Sequence, residues 1–347
     1  MEIESIYFIL TANCNLKCKY CFQGTNYHIQ PNAMANRKVI DAFVEYCRKS
    51  KIHHVEIFGG EPLLYKDLFE YTVINLNEKT PKTSIGIVTN GTLIDKKIMN
   101  ILETKPISIL LSIDGCKERH NMFRGYFDRI SKWLPRLVAT GRVTIAMQAS
   151  IISGLCNNIK YMWDVGFKNG IYINIIQNYG WYTLEDISLF EEEYEKAVTA
   201  MLHGKGDLNC TKQLYHMLKK TDNTHDCGIT AEGLACDWRG ILYPCHRAME
   251  LGTQFAIGDI YEGVSKQMSR KLRTHIRKST YCSASAKKYL FSGYCPVTVY
   301  QNYSNFNGEW SPEFCKMIEI KAKLVAKYYY EIEKHFEKTS KNLNFNS

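Results

Sequence analysis

The chain of 347 residues lacks any apolar stretch approaching the roughly 18 residues that a membrane helix needs. The longest is centred on Ile107 to Ile113. It also lacks the basic-then-apolar opening of an export signal, because it starts Met1-Glu2-Ile3-Glu4. These absences predict a cytoplasmic protein with no membrane partner. There is no internal repeat and no low-complexity tract, which sets aside solenoids and long disordered segments. Acidic residues are in deficit: 44 − 35 = +9 formal charges. That excess raises a nucleic-acid-binding or RNA-modifying reading. However, the lysines are scattered over helices such as 313–338, as on solvated faces, and no basic stripe with interleaved aromatics stands out. No nucleic-acid partner is expected. With 45% hydrophobic and 23% charged residues the chain is globular, and its length suggests about two domains.

Cysteine is not scarce. Thirteen cysteines in a long chain without an export signal do not suit a disulfide scaffold, and clustered cysteines in a reducing compartment more often bind metal. Three sit at 14, 18 and 21, and six lie between 227 and 315. Cys47, Cys116, Cys156 and Cys210 stand alone and read as small buried residues.

Residues 1–205 alternate strand and helix patterns. Strands are expected at Ile3–Leu10, His54–Phe58, Ser84–Thr89, Ile107–Ile113, Val143–Ile151 and Ile171–Ile176. Between them lie amphipathic helices, with Val39, Ile40, Phe43 and Cys47 on one face and Ile159, Met162 and Val165 on another. Helix-length connections demand parallel pairing with right-handed crossovers. Six units are too few for a closed eight-fold barrel, so the expected fold is α/β, a partial (β/α)6 barrel open on one side. Its chemistry would sit at the carboxyl ends of the strands. Leu184 to His203 reads as a helix leaving the barrel. Residues 206–315 lose the alternation and read as a small metal-stapled module. A charged helix over 313–338 and a polar tail complete the organisation, giving segments 1–205, 206–315 and 316–347.

The first cysteine group, Cys14-x3-Cys18-x2-Cys21, directly follows the first strand. A zinc knuckle is one account. The other is a four-iron cluster: three thiolates on one loop leave one iron open, and an open position is what a catalytic metal site keeps. Gly59-Gly60-Glu61-Pro62 follows the second strand, Thr89-Asn90-Gly91 ends the third, and Ser112-Ile113-Asp114-Gly115 ends the fourth. Each sets small hydrogen-bonding groups at the same rim.

In this order these motifs resemble the radical S-adenosylmethionine (SAM) superfamily, over Ile3 to about Ile176. The resemblance implies a [4Fe–4S] cluster on Cys14, Cys18 and Cys21, with the methionine end of SAM on the open iron. Glu61, with the backbone of Gly59 and Gly60, would hold the SAM amino group, and Ser112 would contact the ribose. Tyr20 would stack near adenine, while Asn90, Asp114, Gln148 and Ser150 would complete the SAM rim. His120-Asn-Met-Phe-Arg124-Gly125 resembles a stretch of members that act on peptides, with Asn121 replacing the usual Asp. Arg124 would pair with a SAM or substrate carboxylate.

The second group resembles the SPASM or twitch extension of the superfamily. Cys227-x12-Gly240-x4-Cys245 is followed by Cys282, Cys295 and Cys315, and Tyr243-Pro244-Cys245-His246-Arg247 resembles the peptide-maturing members. Two cysteines of the full pattern are replaced, by Ser285 and Phe291. The match then implies one auxiliary [4Fe–4S] cluster on Cys227, Cys245 and Cys295, with a fourth ligand from Cys236 or Cys282. The outer cluster, of which Cys315 would be a ligand, is expected to be lost. Total iron is then about eight per chain.

The resemblance implies reductive cleavage of SAM and hydrogen abstraction from a substrate, with His246 or Tyr243 as proton acceptor. The leading reading is an oxidoreductase that matures a ribosomally made peptide by a cross-link, thioether or oxidation. The alternatives are a twitch-type small-molecule dehydrogenase, sulfatase-maturase-like protein oxidation, and a non-catalytic iron–sulfur electron carrier. The positive charge suits encounter with an acidic flavodoxin or ferredoxin donor. Since the first strand begins at Ile3, the precursor is expected to bind the barrel, the module or a separate precursor-binding partner.

Overall fold

The computed structural model describes residues 4–22, 32–168, 170–178, 180–219, 233–277, 295–306, 308 and 311–343. Strands β1 (Ser5–Thr11), β2 (His54–Gly59), β3 (Ser84–Thr89), β4 (Ile107–Ser112), β5 (Val143–Gln148) and β6 (Ile171–Asn174) pair in sequence order, every neighbour parallel. The connections carry the helices α1 (Arg37–Lys49), α2 (Lys66–Lys79), α3 (Lys96–Thr104), α4 (Lys117–Phe123), α5 (Phe127–Ser131), α6 (Leu134–Ala139) and α7 (Leu155–Val165). This is the partial (β/α)6 barrel.

The alternation of β2 shows how the fold sorts its side chains. Val55 and Ile57 are fully buried on the helix side, whereas Glu56 and Phe58 line a cavity inside the barrel. On the helix side, Phe8 of β1 stacks on Phe43 of α1 at 4.0 Å and 11°, a pairing that adds about 0.5–1.5 kcal/mol beyond area burial. Helix starts carry their own caps. Asn36 accepts from Val39 N, Asp95 from Ile98 N, and Thr183 forms a reciprocal box with Asp186, each satisfying donors a helix start would otherwise orphan.

The C-terminal part does not form a separate sheet. β7 (Ala235–Cys236) pairs parallel with the free edge of β1, and β8 (Ile241–Tyr243), β9 (Gly258–Asp259) and β10 (Gly263–Val264) follow antiparallel. The result is one ten-stranded sheet, β10-β9-β8-β7-β1-β2-β3-β4-β5-β6. The module therefore covers an edge strand that a barrel open on one side leaves unpaired.

Helix α8 (Leu184–Leu202) leads out of the barrel and α9 (Asn209–Lys219) packs against β6. α10 (Lys266–Arg277) and the helix Pro296–Tyr303 follow strands β7 to β10 in the chain. The single charged helix expected over 313–338 is two helices, Pro312–Lys327 and Tyr329–Leu343, meeting at Tyr328. The first packs on α8 and α9, and its Lys321 is buried, with Nζ donating to Ile173 O at 2.7 Å. It is a core element as well as a solvated face.

Candidate active site

A cavity of about 430 Å³ opens inside the barrel. Cys14, Cys18 and Cys21 line it, together with Tyr20, Gly59, Gly60, Glu61, Asn90, Ser112, Arg124, Gln148 and His246. Those residues span positions 14 to 246, so the fold gathers most of the expected site on one wall.

The cysteine loop is tied at several points. Gly60 N donates to Thr11 O and Glu61 N to Asn13 O, each at 2.8 Å. Asn13 Nδ2 donates to Tyr65 OH at 2.9 Å, Asn15 Nδ2 to Thr92 Oγ1 at 2.8 Å, and Asn90 Nδ2 to Asn15 Oδ1 at 3.1 Å. A Cβ on Gly60 would stand 2.2 Å from Asn13 O. The glycine pair thus makes room for the cysteine loop's own backbone, a role not read from the sequence.

Glu61 is buried and caps the short 3-10 turn Pro62–Tyr65 through Leu63 N at 3.1 Å. It also accepts from Thr89 Oγ1 at 2.7 Å and Asn90 N at 2.8 Å. Burial pushes its carboxyl up to about 7. An ionised carboxylate has about four acceptor positions, so these three bonds leave room for one donor from a ligand.

Asp114 is fully buried and organises the rim. It accepts from Gln148 N at 2.9 Å, from Arg124 Nε at 3.0 Å and from Tyr20 OH. Arg124 lies over the Tyr20 ring at 5.2 Å. Burial alone would lower the Arg124 pKa, but the Asp114 charge overrides it and the guanidinium stays protonated. Arg124 lines the cavity while its Nε pairs with Asp114, so the same buried carboxylate ties Arg124 to Tyr20 of the cysteine loop. Asp114 itself acts behind the wall of the cavity.

Burial pushes the Cys14 thiol up to about 12 and raises Cys18. Thiols so placed are protonated at neutral pH and release protons when they take up metal. Among the described residues no three His, Cys, Asp or Glu groups lie close enough to hold a single metal ion. A four-iron cluster spreads its thiolates over a wider body, and three sulfur donors on one cavity wall are the donor set such a cluster takes. The residues present fit the group.

Tyr243 does not reach the cavity wall. It is fully buried beside Ile9 and Met249, and its hydroxyl accepts from Arg239 Nη2 at 3.2 Å. Ser150 is likewise buried off the wall, its carbonyl accepting from Trp181 Nε1 at 3.1 Å. His246 does line the cavity, packed against Tyr7 at 4.6 Å and Phe58 at 5.0 Å. Burial lowers its pKa to about 3, which keeps the imidazole neutral and makes it a weak proton acceptor.

Cys245 and Cys295 flank one small apolar patch of Ala248, Phe255, Val297 and Phe306. Cys236 is fully buried in the main core, its thiol donating to Asp237 O at 3.4 Å. Its β7 position places that side chain in the main core, against which Cys295 also packs. Cys315 lies on the helix Pro312–Lys327, against the main core. Cys227, Cys282, Ser285 and Phe291 lie outside the described residues.

Sequence reasoning missed Tyr7, Glu56, Phe58, Asn174, Gln177 and Arg247 on the cavity wall. The signal was the period of two in β2: strands covered on both faces read as continuous apolar runs, and His54-Val-Glu56-Ile-Phe58 does not.

Residues 8–147 match the model of the radical SAM superfamily. The chain carries a radical SAM domain. Among curated relatives, a probable GTP 3′,8-cyclase of Methanococcus aeolicus is 26% identical over 70% of this chain and 85% of its own length. The radical SAM cyclopropyl synthase TigE of Paramaledivibacter caminithermalis is 27% identical over 39% of this chain and 32% of its own. Among solved structures, anSMEcpe with bound AdoMet superposes with a TM-score of 0.78 at 18% identity, over 96% of this chain and 95% of that one. SuiB of Streptococcus suis, bound to its precursor peptide SuiA, gives 0.67 at 18% identity over 90% and 75%. At those identities the likeness is one of fold, and it extends well beyond residues 8–147.

Proposed function

We propose that the protein is a radical SAM enzyme that modifies a ribosomally made peptide, by cross-link, thioether or oxidation. One observation carries the reading. The cavity is lined by the cysteine loop together with His246 and Arg247, which follow Cys245 and pack against Phe22 of that loop. A side chain inserted there would meet both the SAM rim and the segment that follows Cys245. When bound, the four-iron cluster and SAM together supply a carbon radical that takes a hydrogen atom from the substrate.

The chain's own residues hold and shield. Cys14, Cys18 and Cys21 would hold the cluster. Glu61 offers one acceptor position to a ligand ammonium group. Ser112, Asn90 and Gln148 offer polar contacts along the rim. Tyr7, Phe22, Phe58 and His246 form an aromatic wall that excludes water from the reacting atoms. An auxiliary cluster would draw on Cys245 and Cys295, with Cys227 and Cys282 as the remaining candidates, and segment 206–315 would be the unit that presents it. An acidic flavodoxin or ferredoxin would deliver the electron, and the precursor would bind directly or through a separate partner.

The curated relatives favour a second reading, cyclisation of GTP. Charge argues against it. The cations on the described cavity wall are Arg124 and Arg247, the first paired with Asp114, and the same lining carries the carboxylates of Glu56 and Glu61. A triphosphate needs a surplus of cations. The deciding experiment incubates reduced, reconstituted enzyme with SAM and either GTP or the short peptides encoded beside its gene. A peptide mass change supports the proposal; conversion of GTP with every peptide unchanged contradicts it.

A further inference from the structure

We propose that the barrel floor is a cation subsite, in which Glu56 receives a substrate ammonium or guanidinium group against the rings of Tyr7, Phe58 and His246. The inference rests on the reading that substrate enters this cavity, and it names the side-chain class that would enter.

Glu56 sits between Tyr7 of β1 and Gly86 of β3 in the strand register. A Cβ on Gly86 would lie 2.7 Å from Glu56 Oε2, so the glycine leaves the space that the carboxylate fills. Oε2 meets His54 Nε2 at 3.3 Å, while Oε1 is buried with no hydrogen-bond partner. Among the described residues, His54 alone forms an ion pair with Glu56. Neither cavity arginine forms an ion pair with Glu56 among the described residues: Arg124 pairs with Asp114, and Arg247 donates from Nη1 to Gln177 Oε1 at 2.8 Å and lies over the Phe22 ring at 4.8 Å, its Nε buried without a partner.

A carboxylate drawn out of water without a full partner is costly, and a ligand cation removes that cost. The rings sharpen the preference. Tyr7, Phe58 and His246 lie within 4.6–6.0 Å of one another, and aromatic faces attract cations most strongly where water is excluded. Burial, and then the charge of Glu56, push the Tyr7 phenol up to about 12, so Tyr7 remains a neutral ring beside the acid. A metal cation is disfavoured by the lack of three clustered ligands among the described residues. The SAM ammonium group is better matched to Glu61. Glu56 lies three residues before Gly59 on β2, about 10 Å deeper at the usual strand rise.

The test uses the full chain, reconstituted and saturated with SAM. Calorimetry compares Nα-acetyl-lysine amide, Nα-acetyl-norleucine amide (its uncharged analogue without the terminal amine) and n-butylamine. The lysine probe should bind about tenfold more tightly than the norleucine probe, as expected of a desolvated charge pair. Glu56→Gln, whose fold is checked by its melting curve, should bring the two within about twofold and leave SAM affinity unchanged. Phe58→Leu, which keeps the charge, should narrow the preference without abolishing it. Binding of the amide beyond that of n-butylamine assigns the cation to a peptide, and equal binding assigns it to a small amine; both support the subsite. Equal or absent binding of the two amides, a preference that survives Glu56→Gln, or a loss of SAM affinity in that variant would overturn it. These affinities are independent of turnover, so the subsite and the peptide-modifying reading fail separately.

Discussion

The two cysteine regions are built in opposite ways. The barrel group sits on one loop, and the ends of neighbouring parallel strands hold it: Glu61 from β2, Asn90 from β3, and Asp114 behind Tyr20 from β4. The module group is spread over short strands and helix ends, with Cys245 after β8 and Cys295 capping the helix Pro296–Tyr303. The barrel thus positions its thiols by local backbone, and the module by packing around Phe255 and Phe306. A loop held by register tolerates little change at its supports, whereas a packed patch tolerates substitution of comparable volume.

The largest expected effect breaks the barrel side outright. Replacing Cys14, Cys18 and Cys21 by Ala should lower iron content by about four per chain, while the auxiliary cluster proposed for Cys245 and Cys295 should keep its iron, read by metal analysis and the visible spectrum. Loss of all iron would contradict an independently held auxiliary cluster.

Asp114→Ala comes next, because it leaves the Arg124 guanidinium buried without its partner. Breaking a buried pair costs about 3–5 kcal/mol, which denaturant melting should report, together with weaker cluster loading as Tyr20 is released. The double variant Asp114→Leu with Arg124→Met should recover part of that stability.

Gly60→Ala probes the close approach of β2 to the loop. Its Cβ would stand 2.2 Å from Asn13 O, and overpacking of this kind costs about 1–3 kcal/mol. An equal-volume exchange on the module side, Val297→Thr excepted for its hydroxyl, should cost less.

The last effect is a change of slope with pH. Burial raises the Glu250 pKa to about 8, above its ordinary value. A raised folded pKa contributes stability that is present below the unfolded pKa and is lost as pH rises through the folded one. Stability should therefore fall between about pH 4.5 and 8, and Glu250→Gln should flatten that part of the curve. An unchanged slope would show that Glu250 is more solvated than its position implies.

The comparison also explains what was legible in the sequence. The barrel strands and the order of their motifs could be read because each motif directly follows its strand, so spacing along the chain is spacing around the rim. The pairing of Arg124 with Asp114, the removal of Tyr243 from the cavity and the core position of Cys236 could not. Each depends on which way a side chain points in a packed interior. The attachment of β7 to the edge of β1 is likewise a contact between residues more than 200 positions apart, invisible to any local pattern. Glu56 lay in plain view as a polar residue in a buried strand, and only the cavity gave it meaning.

The central claim is that the cysteine loop and its rim form a SAM-cleaving site. The most direct measurement is 5′-deoxyadenosine formed from SAM by the reduced, reconstituted protein, beside the Cys14/Cys18/Cys21→Ala variant. The account predicts accumulation with the intact loop and background with the variant. Equal 5′-deoxyadenosine from both would contradict it.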